Sequence, residues 1–342
     1  MPWTRFQRLA LVAFITVEVL IFVGAVVRAT GSGLGCPDWP FCYGCLVPPT
    51  SAEDIDFTRI DLEKFRAKAA RHGRDPASIT HETLKAEFDP VATWVEYVNR
   101  LTSLPVGLAM LLLLIASFWQ IRSGRLRVFV AALAAFALVL VNAWLGARVV
   151  LSGLKPGIIT LHMALAILLQ CVLVYTAWRG TSRPWRLRWK AAPSSALRWL
   201  AWGLFALIVI EGVLGSQVRE LTDHLARSHA GEPRSQWVVE LELSRVYLIH
   251  RSFSWLIVAA GLAFLQLGRR HLARAGWLEW SVLGLIFSQM VLGLVLSQVG
   301  VVAAAQVLHI GLSSLLVSAL FLWLLGAAPE PARAAGETSP PR

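Results

Sequence analysis

The chain has 342 residues, 56% of them hydrophobic and only 15% charged, with a mean hydropathy of +0.60. Soluble globular chains are about 45–50% apolar and about 25% charged, so a single water-soluble core and a disordered chain are both excluded. Lys and Arg number 32 against 21 Asp and Glu, a net charge of +11; in so apolar a chain that excess is read as membrane topology before nucleic-acid binding.

Apolar runs of about 20 residues, the length that crosses a bilayer as a helix, recur along the chain. They cover Leu9–Val27, Val91–Gln120, Val128–Ala147, Gly157–Trp178, Ala196–Val218, Val246–Leu267, Trp277–Val299 and Ala303–Leu325. The first run is longer than the apolar core of a signal peptide and lacks a small-residue cleavage site, so it is read as a span. The connections between spans alternate in character. One set is basic with almost no acids: Arg5 and Arg8, then Arg122, Arg125 and Arg127, then Arg179 to Lys190, then Arg269, Arg270 and Arg274. The other set mixes signs, as in Glu53, Asp54, Asp56, Arg59 and Asp61. Basic connections stay in the cytoplasm, which puts both termini inside and the loops at 29–90 and 219–245 outside. In the long first outer loop, Asp61–His72 and Ser78–Phe88 carry helical periodicity, and two short helices over the membrane surface are expected. The tail from Pro329, rich in Pro, Ala and Gly, is expected to be disordered.

The two halves repeat one another. Gly146, Gly153, Leu161 and His162 match Gly293, Gly300, Leu308 and His309 at a constant offset of 147. Asn99-Arg100 corresponds to His250-Arg251, and Val27-Arg28 to Val218-Arg219. The expected architecture is all-α integral membrane: eight transmembrane helices forming two four-helix bundles related by a pseudo-twofold axis along the membrane normal. Residues 1–180 make the first half with its long outer loop, 181–328 the second half, and 329–342 a cytoplasmic tail.

Polar groups inside spans are expensive and mark function. His72, His81, His224, His229 and His271 fall in loops and are read as surface residues. His162, His250 and His309 fall inside even-numbered spans, a turn or two from the outer end, with Asn99 at matching depth. Two imidazoles at one depth on neighbouring helices can hold a heme iron from opposite faces, and His250 with His309 form such a pair. The plain alternative is a pair of core imidazoles bonded to Ser or backbone; tetrahedral zinc would need further ligands. In the first half His162 faces Asn99, a poor iron ligand, so a heme there is at most five-coordinate. An open position suits O2 activation, whereas two strong ligands suit electron transfer. The residues therefore point to one electron-transfer heme and one reactive or substrate heme.

Glu96 stands three residues before Asn99 and four before Arg100 and shares their helix face. It is read as a proton-transfer group, against the alternative of a structural Glu96–Arg100 pair. Arg28, Arg100, Arg148, Arg219 and Arg251 gather toward the outer side, where Arg pairs with heme propionates or with lipid headgroups; Arg219 and Arg251 are the candidates for cofactor binding in the second half. Glu18 and Glu211 are buried acids, read as proton carriers or as interhelical bonds. Cys36, Cys42 and Cys45 lie close together, and cysteines in an oxidising compartment pair. Cys36 with Cys42 or with Cys45 closes a short ring, either static or exchanging electrons with an outer thiol carrier. Cys171 is read as a small apolar filler.

Thr30-Gly-Ser-Gly-Leu-Gly-Cys-Pro-Asp-Trp-Pro-Phe-Cys42, Glu96-Tyr-Val-Asn-Arg100, Gly146…His162, His250-Arg251 and Gln306-Val-Leu-His309 resemble the heme A synthases that serve cytochrome oxidase assembly. The resemblance runs in order through nearly the whole chain. It implies heme b in the second half with His250 and His309 as axial ligands. It implies heme O as the substrate of the first half, at His162, Asn99 and Arg100, its C8 methyl oxidised to a formyl by successive hydroxylations with O2 as co-substrate. It implies a catalytic role for Glu96 and a cysteine pair at Cys36 and Cys42. The chain departs from the family pattern at Asn99, where His is usual, while Glu96 and Arg100 are retained; this marks a variant subgroup. The partners expected are the lipid bilayer, heme O synthase, cytochrome oxidase assembly factors, an electron donor that the sequence does not identify and a second copy of the chain, with no nucleic acid. The location expected is a bacterial-type inner (plasma) membrane. The competing readings are a diheme b-type membrane electron carrier and a heme-binding assembly or transfer factor without catalysis.

Overall fold

A computed structural model describes residues 3–328 apart from 37, 39, 72–74, 153, 191–193, 230 and 275. The tail from Pro329, His72 and Gly153 of the repeat lie outside the described residues. The helices are α1 (Arg5–Ala29), α2 (Leu62–Arg71), α3 (His81–Ala86), α4 (Pro90–Arg122), α5 (Leu126–Leu151), α6 (Pro156–Arg179), α7 (Ser195–Ser228), α8 (Arg234–Leu243), α9 (Arg245–His271), α10 (Trp277–Leu294) and α11 (Ala303–Ala327). Among the described residues, 8 helices are long and apolar enough to cross a membrane, all but α2, α3 and α8. The expected all-α membrane architecture is thus the one observed.

Local chemistry sets the helix starts. Thr4 and Gln7 form a reciprocal capping box on α1. Asp89 accepts from Val91 N and Ala92 N at the start of α4, with Pro90 in the first turn, where its missing N–H costs nothing. Ser194 and Ser244 cap α7 and α9. α10 ends in a π turn, Val295–Val299, closed by Gly300 at φ 143, a conformation that favours glycine.

Two expectations need correction. α7 does not stop at Val218 but continues to Ser228, and α8 occupies much of the expected 219–245 loop. Hydropathy falls at Arg219 and Glu220, but helix propensity does not. Leu225 buries against Trp237 and Leu241 of α8, which holds the extension. His224 therefore stands on a helix, as do His81 at the start of α3 and His271 at the end of α9. The long first loop is no spacer: Tyr43, Ile55, Ile60, Phe65, Ala69, Ile79 and Leu84 form a core of their own under α2 and α3, the two short helices expected there.

In the first half α1, α4, α5 and α6 close a ring of neighbours, and α7, α9, α10 and α11 repeat the same cycle. The halves meet where α1 and α6 pack on α11 and α6 touches α7. Small residues permit close approach between such helices: the Phe22 ring sits where a Cβ on Gly311 would lie, 2.2 Å from it. Inside this apolar seam Glu18 accepts from Gln170 Nε2 and from Ser314 Oγ at 2.7 Å, tying α1, α6 and α11 together. An intramembrane hydrogen bond of this kind is worth about 0.6 kcal/mol.

Both apolar cores sit toward the basic end of the bundle. One gathers Ala10, Val17, Met110, Leu113, Ala132 and Leu173; the other Leu204, Phe264, Val282, Leu320 and Trp323, with Cys171 packed into it. Toward the opposite, loop-bearing end the buried positions thin out. Among the described residues the first buried position of α6 is Leu169 and of α9 Ile257, and α7 has none between Ile208 and Thr222. The candidate site lies at that less densely buried end.

Candidate functional site

Four polar side chains stand in equivalent places. Each rests against a glycine of an adjacent helix. From the position a Cβ would take on that glycine, Asn99 Oδ1 is 3.9 Å from Gly24, His162 Cε1 3.6 Å from Gly146, His250 Cε1 3.4 Å from Gly215, and His309 Cε1 3.8 Å from Gly293. A methyl there would just touch the polar group, and a larger side chain would displace it. α4 and α6 carry the polar pair in the first half, α9 and α11 in the second, with the glycines on α1, α5, α7 and α10. His162 and His309 lie about 9 Å along their helices from the first residue.

Nδ1 of His162, His250 and His309 and Oδ1 of Asn99 are buried without a hydrogen bond. A buried polar atom left unpaired costs about 1–3 kcal/mol and is rare in native interiors. No serine hydroxyl or backbone group bonds these Nδ1 atoms, although the Asn142 backbone lies close enough to influence His162 and Glu211 Oε1 stands 3.1 Å from His250 Nδ1. Among the described residues no group of three His, Cys, Asp or Glu converges to cage a metal ion. Paired polar side chains backed by glycine fit a planar iron cofactor, one pair per half, with Asn99 replacing one imidazole.

The long first loop packs onto α4 beside the first-half site. Cys36 and Cys42 form a disulfide and Cys45 is free, which decides between the two pairings. Cys42 and Cys45 exchange backbone hydrogen bonds of 2.9 and 3.1 Å across Tyr43-Gly44, whose φ values are 51° and 75°, the backbone of a primed hairpin turn. Asp38 accepts from the N–H groups of both turn residues, at 2.8 and 2.6 Å. A Cβ on Gly35 would lie 2.4 Å from the Ala92 carbonyl oxygen, so only glycine lets the loop press onto α4; Thr93 Oγ1 donates to Gly35 O at 2.9 Å.

Glu96 and Arg100 hold this loop. Cys36 N donates to Glu96 Oε2 at 2.8 Å, and Arg100 pairs with Glu96 Oε1 at 2.5 Å. Arg100 also donates to the carbonyls of Pro40, Phe41 and Cys36 at 3.0, 3.1 and 3.2 Å. Its guanidinium thus serves the cysteine ring, while Asn99, the next residue, serves the bundle. Tyr43 is buried beside them. Burial, and then the charges of Asp38, Glu87, Asp89 and Glu96, push its phenol up to about 12.

Arg28 and Arg219, equivalent in the repeat, share one carboxylate: Asp223 is 2.7 Å from the first and 2.9 Å from the second. Arg251 and Arg148 are exposed. Sequence reasoning missed Gly24, Gly215 and Asp223. The two glycines carried a signal, being separated by the same 191 residues as Arg28 and Arg219. Asp223 carried one as well, standing four residues after Arg219 on the same helix; its second partner, Arg28, comes from the other half.

A family model described as cytochrome oxidase assembly protein, COX15-CtaA, matches residues 7–321. The chain belongs to this family. A heme A synthase of Nitrosomonas eutropha is 26% identical over 71% of this chain and 70% of its own length. One of Rhizorhabdus wittichii is 27% identical over 92% of this chain and 91% of its own. A protoheme IX farnesyltransferase of Thermus thermophilus is 28% identical across 94% of this chain, which covers only 47% of that protein. In this COX15-CtaA member the matched span takes in both polar pairs, the Cys36–Cys42 ring and the Glu96–Arg100 clasp.

Proposed function

We propose that this chain is a heme A synthase: a membrane oxidoreductase that converts the C8 methyl of heme O to a formyl by successive hydroxylations, with O2 as co-substrate, for cytochrome oxidase biogenesis. The observation that carries the reading is the repeated glycine-backed polar pair, His/His in one half and Asn/His in the other, in a chain whose relatives include heme A synthases.

Iron porphyrin supplies the one-electron and oxygen chemistry when bound; the chain supplies placement. His250 and His309 would hold heme b, and two imidazoles would suit it to electron transfer. His162 would hold heme O in the first half, where Asn99 would offer no second strong ligand. Arg219 and Arg251 orient the acidic edge of the cofactor, Arg219 being itself steadied by Asp223. Glu96 is the catalytic carboxyl of the first half and handles the proton there; Arg100 fixes Glu96 and the cysteine ring over the substrate. Cys36 and Cys42 exchange electrons with an outer thiol carrier. The two halves act as pseudo-twofold-related units, residues 1–180 for the substrate and 181–328 for the cofactor. The chain sits in a bacterial-type inner membrane with both termini cytoplasmic. It works beside heme O synthase and other cytochrome oxidase assembly factors; the match to a protoheme IX farnesyltransferase twice its length supports such adjacency.

The test is the pigment of the full chain, purified in detergent from a host that makes heme O. Low-spin heme b together with extractable formyl heme is expected. Bound heme O that is never converted under O2 and reductant would make the chain a transfer factor instead, and a colourless protein would reject the reading.

A further inference from the structure

The second-half polar pair has a neighbour that the first half lacks. Glu211, on α7, stands one turn before Gly215, so both face His250 from the same ridge. Glu211 Oε1 lies 3.1 Å from His250 Nδ1, within reach of a hydrogen bond although the ring is not yet aligned for one. The Ser254 hydroxyl, one turn after His250 on α9, donates to the same Glu211 oxygen at 2.5 Å. The other oxygen, Oε2, is buried without a partner. The serine thus holds the same carboxylate oxygen that faces the imidazole, and the remaining lone pair of that oxygen can accept from Nδ1. The offset of 191 that relates Gly24 to Gly215 and Arg28 to Arg219 sets Leu20 opposite Glu211, and the offset of 151 that relates Asn99 to His250 sets Ser103 opposite Ser254. The serine is repeated and the carboxylate is not.

An imidazole that binds iron through Nε2 carries its proton on Nδ1, and a carboxylate accepting that proton fixes the ring and makes it a stronger electron donor. We propose that Glu211 is a positioning residue of the second-half site, orienting His250 through Nδ1 and lowering the reduction potential of the iron it binds, with Ser254 holding the carboxylate in place. The first half, with leucine at this position, has no such restraint. This inference rests on the reading of His250 as an iron ligand, and its test separates the two.

The full chain is purified with its heme, and the ferric low-spin electron paramagnetic resonance spectrum and the midpoint potential are measured for the unaltered protein, Glu211→Gln, Glu211→Leu and Ser254→Ala. Glu211→Leu is expected to shift the potential upward and change the low-spin g values. Glu211→Gln, which keeps an acceptor without the charge, is expected to shift the potential less, and Ser254→Ala least, all in one direction. An unchanged potential and spectrum in Glu211→Gln overturns the proposal, even where Glu211→Leu fails to retain heme. The parallel variant His250→Ala tests the underlying reading: a low-spin spectrum that survives it removes His250 as a ligand. Loss of that spectrum in His250→Ala with no shift in the Glu211 variants would overturn the role of Glu211 alone.

Discussion

The first and second halves share a plan and differ at the points where chemistry is set. Each has a polar pair seated on glycines, and each arginine of the Arg28/Arg219 pair reaches the same carboxylate. The second half has imidazoles at both positions and a carboxylate beside one of them. The first half has an amide at one position, no counterpart of Glu211, and a disulfide loop clamped above it by Glu96 and Arg100. One copy of a duplicated scaffold is thus covered by a loop and carries an amide, while the other carries two imidazoles and a carboxylate beside one of them. That division is what a protein needs if one bound heme is to be kept and the other altered.

The comparison is broken most severely by removing the second-half imidazoles proposed as ligands. His250→Ala or His309→Ala is expected to abolish the six-coordinate low-spin spectrum, read by optical spectroscopy on the purified chain; an unchanged spectrum rejects the assignment. His162→Ala should leave that spectrum and remove product. Glu96→Gln is expected to lower formyl-heme formation by about 10²–10⁴-fold, the usual contribution of a proton-transfer group, with heme content retained. Normal turnover would reduce Glu96 to a clasp of the loop. Asn99→His makes the halves alike: a second low-spin signal should appear and turnover should fall, whereas a rise in electron transfer without any formyl product in either protein would favour a diheme carrier.

Smaller effects probe the loop. Gly35→Ala forces a methyl into the Ala92 backbone, an overpacking cost of about 1–3 kcal/mol. Faster reduction of the Cys36–Cys42 bond by dithiothreitol is the expected sign, and an unchanged rate would mean that the loop is not pressed onto α4. Tyr43 is the mildest probe. Its phenol is raised from 10.0 to about 12, so the folded loop holds that proton more tightly than the unfolded chain. Its contribution to stability is complete below about pH 10 and is lost as pH rises through about 12. Alkaline absorbance titration of the protein against Tyr43→Phe should show the missing transition near the upper value; ionisation near 10 would place Tyr43 in water.

Much of this was legible in the sequence because hydropathy and charge asymmetry are strong signals. The eight spans, the short helices of the first loop, and the repeat that pairs His162 with His309 follow from periodicity and offset alone. The end of α7 did not, because a helix that leaves the membrane loses its apolar signature while keeping its hydrogen bonds. Glu96 and Arg100 were recognisable as an i,i+4 pair, but their grip on Cys36, Pro40 and Phe41 depends on how a loop folds back. The Cys42–Cys45 hairpin, which leaves Cys36 to bond Cys42, depends on positive φ at Tyr43, a residue type with no preference for that conformation. Glu211 was legible as a buried acid and Asp223 as an i,i+4 partner of Arg219, but the approach of Glu211 to His250 and of Asp223 to Arg28 depends on neighbours from other helices.

The uneven distribution of buried side chains also bears on where a bound group finds room. Tight apolar contact is concentrated near the arginine-rich ends of the helices, and the histidines stand at the opposite, less densely packed ends. The contacts that join the helices of each half are therefore made without calling on the histidine-bearing ends. Room for a bound group is left at the ends that carry the histidines, away from the contacts that hold each bundle together.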